Sequence, residues 1–348
     1  MRSDDTAPGA FPVEAFSQAP RSLSLPIRSD EYLRKRSADD TLVEEVPAGI
    51  VADVPRKSAI VGDEIAGRYR MTKLLGMGNY GTVFCALDLM SGAEVAVKVL
   101  HDRHTTSRDL VGRLLREARI AREIAHPGVA RVLDAGRDDE GRVYLVLEKL
   151  EGRDFGTILD EGKELSKDLV VEVGRQVLSV LSAAHKIGVV HSDVKPENIF
   201  LQRDDGKSVR VKLLDFGIAK LNRALPASAV RTGKGLTLGT PWYMSPEQWR
   251  GDELGPQSDV WSVGAVLFHA LAGRPPHDGM ELGAIRDSIT TWHADSISVF
   301  REDCGPALTQ AIDRALMLRK EDRWCDAAAM AIALTANGAS VDDLDWDD

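Results

Sequence analysis

From Tyr69 onward the chain sets apolar against polar residues in short stretches, and RYRMTKLLG, GTVFCALDL and AEVAVKVL read as β-rich runs. Gly76, Gly78 and Gly81 fall between the first two runs, and Ser91-Gly92 between the second pair, which predicts an antiparallel meander. The period then changes. In DLVGRLLREARIAREIA, residues Leu114, Leu115, Ala118, Ala121, Ile124 and Ala125 draw the stripe of an amphipathic helix, which His126-Pro127-Gly128 stops. VARVLDAGRDDEGRVYLVLEKL predicts two more strands joined at Asp138-Asp139-Glu140-Gly141. One lobe of strands with a single main helix is therefore expected over residues 66–148.

Residues 152–336 predict a second, larger and mainly helical lobe. KDLVVEVGRQVLSVLSAAHKIG is a long amphipathic helix, and NIFLQ and VRVKLLDF bracket the turn Asp204-Asp205-Gly206-Lys207 as a small hairpin. SDVWSVGAVLFHALAG is apolar nearly all round, as a buried central helix must be. GPALTQAIDRALMLR and DAAAMAIALTANG close the lobe, and no internal repeat appears. Together these make an α+β chain. Residues 1–65 mix Pro, Ser, Asp and Arg without a period and are expected to be a disordered arm, with 337–348 an acidic tail.

Composition narrows the function. The 348 residues are 43% hydrophobic, which suits a globular chain with a sizeable core. A net charge of −10 and 5% aromatics argue against nucleic acid as a partner. No apolar run is long enough to span a bilayer, and the opening MRSDDTAPGAFPVE is unlike a signal peptide, so a cytoplasmic protein without membrane contact is expected. The three cysteines, Cys85, Cys304 and Cys325, are scattered and suggest reduced thiols.

Two patterns in the first lobe carry chemistry. Gly76-Met77-Gly78-Asn79-Tyr80-Gly81-Thr82-Val83 is a glycine-rich loop, and a lone pattern of this kind also suits a dinucleotide fold or a plain turn. Here the glycines lie between two strands with no βαβ unit after them, which favours a loop folded over nucleotide phosphates. Lys98 sits inside the apolar run Val95-Ala96-Val97, where an ammonium needs a carboxylate partner, and Glu117 on the next helix is the candidate.

In the second lobe, HSDVKPENIF packs Asp193, Lys195 and Asn198 into six positions. With GMGNYGTV, VAVK, REAR, LDFG, GTPWYMSPE, SDVWSVG and Arg323, all in order, the sequence resembles the eukaryotic-type (bacterial Hanks-type) serine/threonine protein kinases from about Tyr69 to Leu334.

The resemblance implies a bilobal protein-kinase-like fold and transfer of the γ-phosphoryl of ATP to Ser or Thr hydroxyls of protein substrates, with Mg²⁺. Asp193 would take or orient the substrate proton, Lys195 would lie over the γ-phosphate, and Lys98 paired with Glu117 would hold the α/β-phosphates. Asn198 and Asp215 would bind metal. Leu75, Val83, Ala96, Leu147 and Phe200 would enclose adenine, with backbone near Glu148 to Leu150 bonding its edge and Leu147 as gatekeeper. Glu247 would pair with Arg323, Thr240 would touch Asp193 and Lys195, and Asp259 would brace the catalytic loop.

Two positions depart from the family pattern: Ser245-Pro246-Glu247 stands where the family reads A-P-E, a mild change, and Ser192 is the second. Ser192 stands where most relatives carry arginine, which removes the main anchor for a phosphate on the loop that holds Ser228, Thr232 and Thr237. Activity is therefore expected to depend little on loop phosphorylation, although autophosphorylation through a homodimer remains an expectation. The rival reading is a catalytically inactive pseudokinase that serves as a nucleotide-binding scaffold.

Overall fold

The computed structural model describes residues 59–78, 81–101, 108–204, 208–216, 241–279 and 281–335. The arm before residue 59, Asn79, Tyr80, the stretch 217–240 with Ser228, Thr232, Thr237 and Thr240, and the acidic tail lie outside these residues.

The first lobe is one six-stranded sheet built from β1 (Glu64–Ile65), β2 (Tyr69–Met77), β3 (Gly81–Asp88), β4 (Glu94–Leu100), β5 (Val132–Arg137) and β6 (Val143–Glu148). Its order is β1-β2-β3-β4-β6-β5, and every neighbouring pair is antiparallel. Helix α1 (Arg108–Glu123) covers part of one face. The two-residue period sorts the side chains: Val95, Val97 and Val99 join Tyr69, Phe84 and Val146 on one side. Leu100, Val143 and Leu145 pack with Val111, Leu114 and Ala118 of α1 on the other.

The boundary expected at Ile65 falls inside the sheet. Ile65 is fully buried, and β1 pairs Glu64 with Arg70 and Ile65 with Tyr69. Arg142 fixes this edge by donating from Nη2 to the Glu64 carbonyl while its Nε holds Asp138. A two-residue strand carries no period of its own; it forms because the sheet offers it partners.

The second lobe holds a three-stranded sheet, β7 (Gly152–Asp154), β8 (Ile199–Asp204) and β9 (Ser208–Leu213), in the order β7-β8-β9. Its helices are α2 (Phe155–Asp160), α3 (Lys167–Lys186), α4 (Pro246–Arg250), α5 (Pro256–Ala272), α6 (Leu282–Thr291), α7 (Gly305–Ala315) and α8 (Ala327–Thr335). Ser166 caps α3 through a bond from the Leu169 N–H, and Gly273 ends α5 in the left-handed region at φ 72°. Val260, Trp261, Val263, Ala265, Val266, Leu267 and Phe268 are all buried, so α5 is the central helix that its all-round apolarity predicts. No helix among the described residues is long and apolar enough to cross a membrane.

Candidate active site

The β8–β9 hairpin gathers the polar residues at one end. Ile199 pairs with Leu213, and the Leu214 N–H donates to the Asn198 carbonyl at 2.8 Å. Asn198, just before β8, and Asp215, just after β9, are thus brought to the same end of the hairpin although the sequence separates them. The loop running into β8 places Asp193 beside Lys195 and Asn198. Lys195 Nζ donates to Asp193 Oδ2 at 2.8 Å, and Asn198 Nδ2 donates to the Asp193 carbonyl at 2.8 Å.

This loop is held from below. Asp259, fully buried on α5, accepts from the N–H groups of His191 and Ser192 at 2.8 and 2.7 Å. His185 Nε2 lies 2.9 Å from the same carboxylate. His191 Nε2 meets the Leu214 carbonyl, which can only accept, while Nδ1 faces the Asp193 N–H, which can only donate. The ring is therefore the Nε2–H tautomer, and burial pushes its pKa below the usual histidine value, which keeps it neutral. It orients the loop and is no base.

Two non-glycine residues here adopt left-handed backbone, Ser192 at φ 60° and Asp215 at φ 50°. Such conformations cost about 1–3 kcal/mol each and persist where surrounding bonds hold them.

The sheet above contributes Lys98. In the ladder Val83 opposes Lys98, Ala96 opposes Leu147, and Ala96 and Lys98 are two apart, so all four share one face. Lys98 Nζ lies 2.8 Å from Asp215 Oδ1, so this face looks toward the hairpin. The side chain of Glu117, the expected partner of Lys98, lies outside the described residues; its backbone belongs to α1.

Leu75, Gly76 and Met77 end β2, and the Gly78 N–H bonds the Gly81 carbonyl at 2.9 Å. The glycines differ in their reasons. A Cβ on Gly76 would meet nothing within 4 Å, whereas one on Gly81 would stand 2.4 Å from the Val99 carbonyl. Gly81 is thus required by contact with β4, while the backbone at Gly76 borders open space. Thr82 Oγ1 lies 3.2 Å from His101 Nε2.

Below the sheet, Phe200 sits in β8 and Leu150 is half-buried just before β7. Glu148 does more than the backbone role expected of it. Its carboxylate accepts from Lys212 Nζ of β9 at 2.7 Å and from the Arg131 N–H at 2.9 Å, which ties the segment joining the lobes to the hairpin.

Beyond residue 240, α4 is anchored through its first turn. The carboxylate of Glu247 takes two hydrogen bonds from Arg323 and one from the Ser258 hydroxyl. Burial alone would raise the Glu247 pKa, but the Arg323 bonds and charge outweigh it and hold it below the carboxylate range. Gln248 was not among the expected site residues. Its Oε1 accepts the Ser245 N–H at 2.9 Å and its Nε2 donates to the Ser192 carbonyl at 2.7 Å. The sequence did hold a local signal, since Ser245 followed three positions later by Gln248 is capping-box spacing.

Among the described residues no group of three or more His, Cys, Asp or Glu side chains could hold a metal ion. Asn198 and Asp215, at the same end of the hairpin, offer an amide oxygen and a carboxylate, hard oxygens that fit a cation such as Mg²⁺ that completes its shell with phosphate and water.

A family profile described as "Protein kinase domain" matches residues 69–333. The chain is 37% identical to serine/threonine-protein kinase pkn3 of Myxococcus xanthus over 81% of this chain and 52% of that protein. It is 38% identical to serine/threonine-protein kinase PknA of Mycobacterium tuberculosis over 63% of this chain and 50% of that protein. The chain thus spans about half the length of these curated relatives. Among solved structures it is similar to the kinase domain of Mycobacterium tuberculosis PknI, with TM-score 0.61 and 24% identity over 81% of this chain and all of that one, a likeness of fold. The chain belongs to the protein kinase family, and its fold is the two-lobed α+β arrangement of that family.

Proposed function

We propose that this chain is a serine/threonine protein kinase that transfers the γ-phosphoryl of Mg-ATP to serine or threonine hydroxyls of protein substrates, its own among them. One observation carries the reading: Asp193, Lys195 and Asn198 meet in a single loop while Lys98 of the sheet reaches Asp215 at the end of the adjoining hairpin. Curated relatives named as serine/threonine kinases support it.

Each side chain has a physical task. The transferred group carries high negative charge through a loose transition state, so holding and neutralising it provide most of the catalysis. Lys98 is set by the sheet to hold phosphate oxygens, and Lys195 neutralises charge beside the carboxylate that orients the hydroxyl. Asp193, its carbonyl and carboxylate fixed by Asn198 and Lys195, takes or orients the substrate proton. Val83, Ala96 and Leu147 present an apolar surface to the adenine ring, with Leu75 and Phe200 beside them. The backbone at Gly76 and Gly78 leaves room for phosphate. Asn198 and Asp215 would hold the magnesium, which when bound neutralises the phosphates and draws them into line.

The test is incorporation of radiolabelled phosphate from ATP into protein substrates by wild type and Asp193→Ala. Wild type is expected to label hydroxyls and the variant to lose that labelling. Wild type that binds Mg-nucleotide and labels nothing would establish the scaffold reading instead.

A further inference from the structure

Ser192 is an unusual place for a non-glycine residue. At φ 60° it holds a strained backbone immediately before Asp193, so the direction of the Asp193 side chain depends on what prevents that backbone from relaxing. Both peptide groups of Ser192 are clamped. Its N–H is taken by Asp259 Oδ1 of α5 at 2.7 Å, and its carbonyl by Gln248 Nε2 of α4 at 2.7 Å. The Gln248 amide is itself fixed, because its Oε1 accepts the Ser245 N–H at 2.9 Å and lies 3.3 Å from the Ser245 hydroxyl. All four residues are buried, so water is a poor substitute for any of these bonds.

One side-chain amide therefore spans two segments. Its oxygen belongs to the start of α4, where the segment Pro241–Ser245 turns into helix, and its nitrogen belongs to the loop of Asp193. The amide suits the task because it donates and accepts through one planar group, whereas a carboxylate would face the Ser192 carbonyl with a second acceptor.

We infer that Gln248 is a positioning residue which, by bridging Ser245 and the strained Ser192 peptide, sets Asp193 at a fixed distance from the segment preceding α4. The inference rests on the kinase reading for its catalytic meaning, but the bridge can be measured without catalysis.

The experiment uses the full chain with Gln248→Met and Gln248→Glu, and Arg250→Met as a control that removes a different α4 bond, from Arg250 Nη2 to the Thr290 carbonyl. Steady-state kinetics give kcat and both KM values. Hydrogen exchange over Val189 to Lys195 reports the loop directly. Gln248→Met is expected to lower kcat roughly 10- to 100-fold with the KM for ATP within about twofold of wild type, and Gln248→Glu to lower it further. Exchange in the loop should quicken about tenfold in both, and neither change should appear in Arg250→Met. Unaltered loop exchange, or a kcat within twofold of wild type in both Gln248 variants, overturns the inference. A wild type that transfers no phosphate while exchange still quickens would count against the kinase reading and leave the bridge standing.

Discussion

Arg323 lies along the carboxylate of Glu247, with Nη1 2.7 Å from Oε1 and Nη2 2.9 Å from Oε2, and both residues are buried. The guanidinium spends its other donors on the carbonyls of Met317, Gln257 and Leu318, and its Cζ lies 4.9 Å from the centroid of the Trp261 ring. A lysine cannot reproduce five directed donors. Arg323→Ala should therefore lower unfolding free energy by about 3–5 kcal/mol, and Arg323→Lys should recover little of it. Urea denaturation of the variants gives the values. A loss below about 1 kcal/mol would mean the pair is solvated and does not anchor α4.

His277 makes stability depend on pH. Its ring stacks 5.9 Å from Trp261, Nδ1 lies 2.9 Å from the Ser288 hydroxyl, and the buried Nε2 has no hydrogen-bond partner among the described residues. Burial pushes its pKa down to about 4, against a weaker upward pull from Asp295 and Asp278. Above about pH 6.5 both folded and unfolded chains carry a neutral ring, and this source of stability is complete. As pH falls toward 4 the unfolded chain takes a proton that the native site refuses, which removes about 3 kcal/mol across the window. His126, His191 and His269 are also held below the usual value by burial and act in the same direction. Chemical denaturation between pH 7 and 4 should show a shallower slope for His277→Gln than for wild type. Parallel slopes would defeat the assignment.

Much of this was legible along the chain, for reasons that local periodicity explains. Strands β2, β3 and β4 announce themselves as short runs of strand-forming residues set between glycine-bearing turns, and α5 by apolarity on every side, because burial decides both compositions. Asp193, Lys195 and Asn198 are close in sequence, so their meeting needed only a tight loop. What stayed hidden depends on tertiary partners. Strand β1 has two residues and β7 has three, too few to show a period. Lys98 meets Asp215 across 117 positions, and Lys212 reaches Glu148 across 64. Neither pair leaves a local trace, and the partner expected for Lys98 was Glu117. Gln248 fell between, since its capping spacing was readable but its reach to Ser192 was not.

The Lys212–Glu148 pair should act as a brace between the segment joining the lobes and the β8–β9 hairpin. Both side chains are mostly buried, and the contact distance is 2.7 Å. Lys212→Met and Glu148→Gln should each lower stability by about 1–2 kcal/mol, with the double variant losing less than the sum. Thermal melts of the four proteins supply the cycle. Strict additivity would show that the two groups do not sense one another.

Lys98 separates stability from catalysis. Its ammonium is bonded to Asp215, whose side chain is 41% exposed, so water can satisfy that carboxylate once the lysine is gone. Lys98→Met should then cost only about 1 kcal/mol of stability. Transfer is another matter, because a positive charge fixed where phosphate charge develops is worth roughly 10²–10³ in rate. Asp215→Asn should behave alike in stability, since the amide oxygen still accepts from Lys98, yet lose transfer because a neutral oxygen holds a divalent cation poorly. A melt and a single-turnover assay on each variant decide the matter. If Lys98→Met kept transfer within tenfold of wild type, the phosphates would have to be held elsewhere, and the ion pair would be a structural contact between sheet and hairpin.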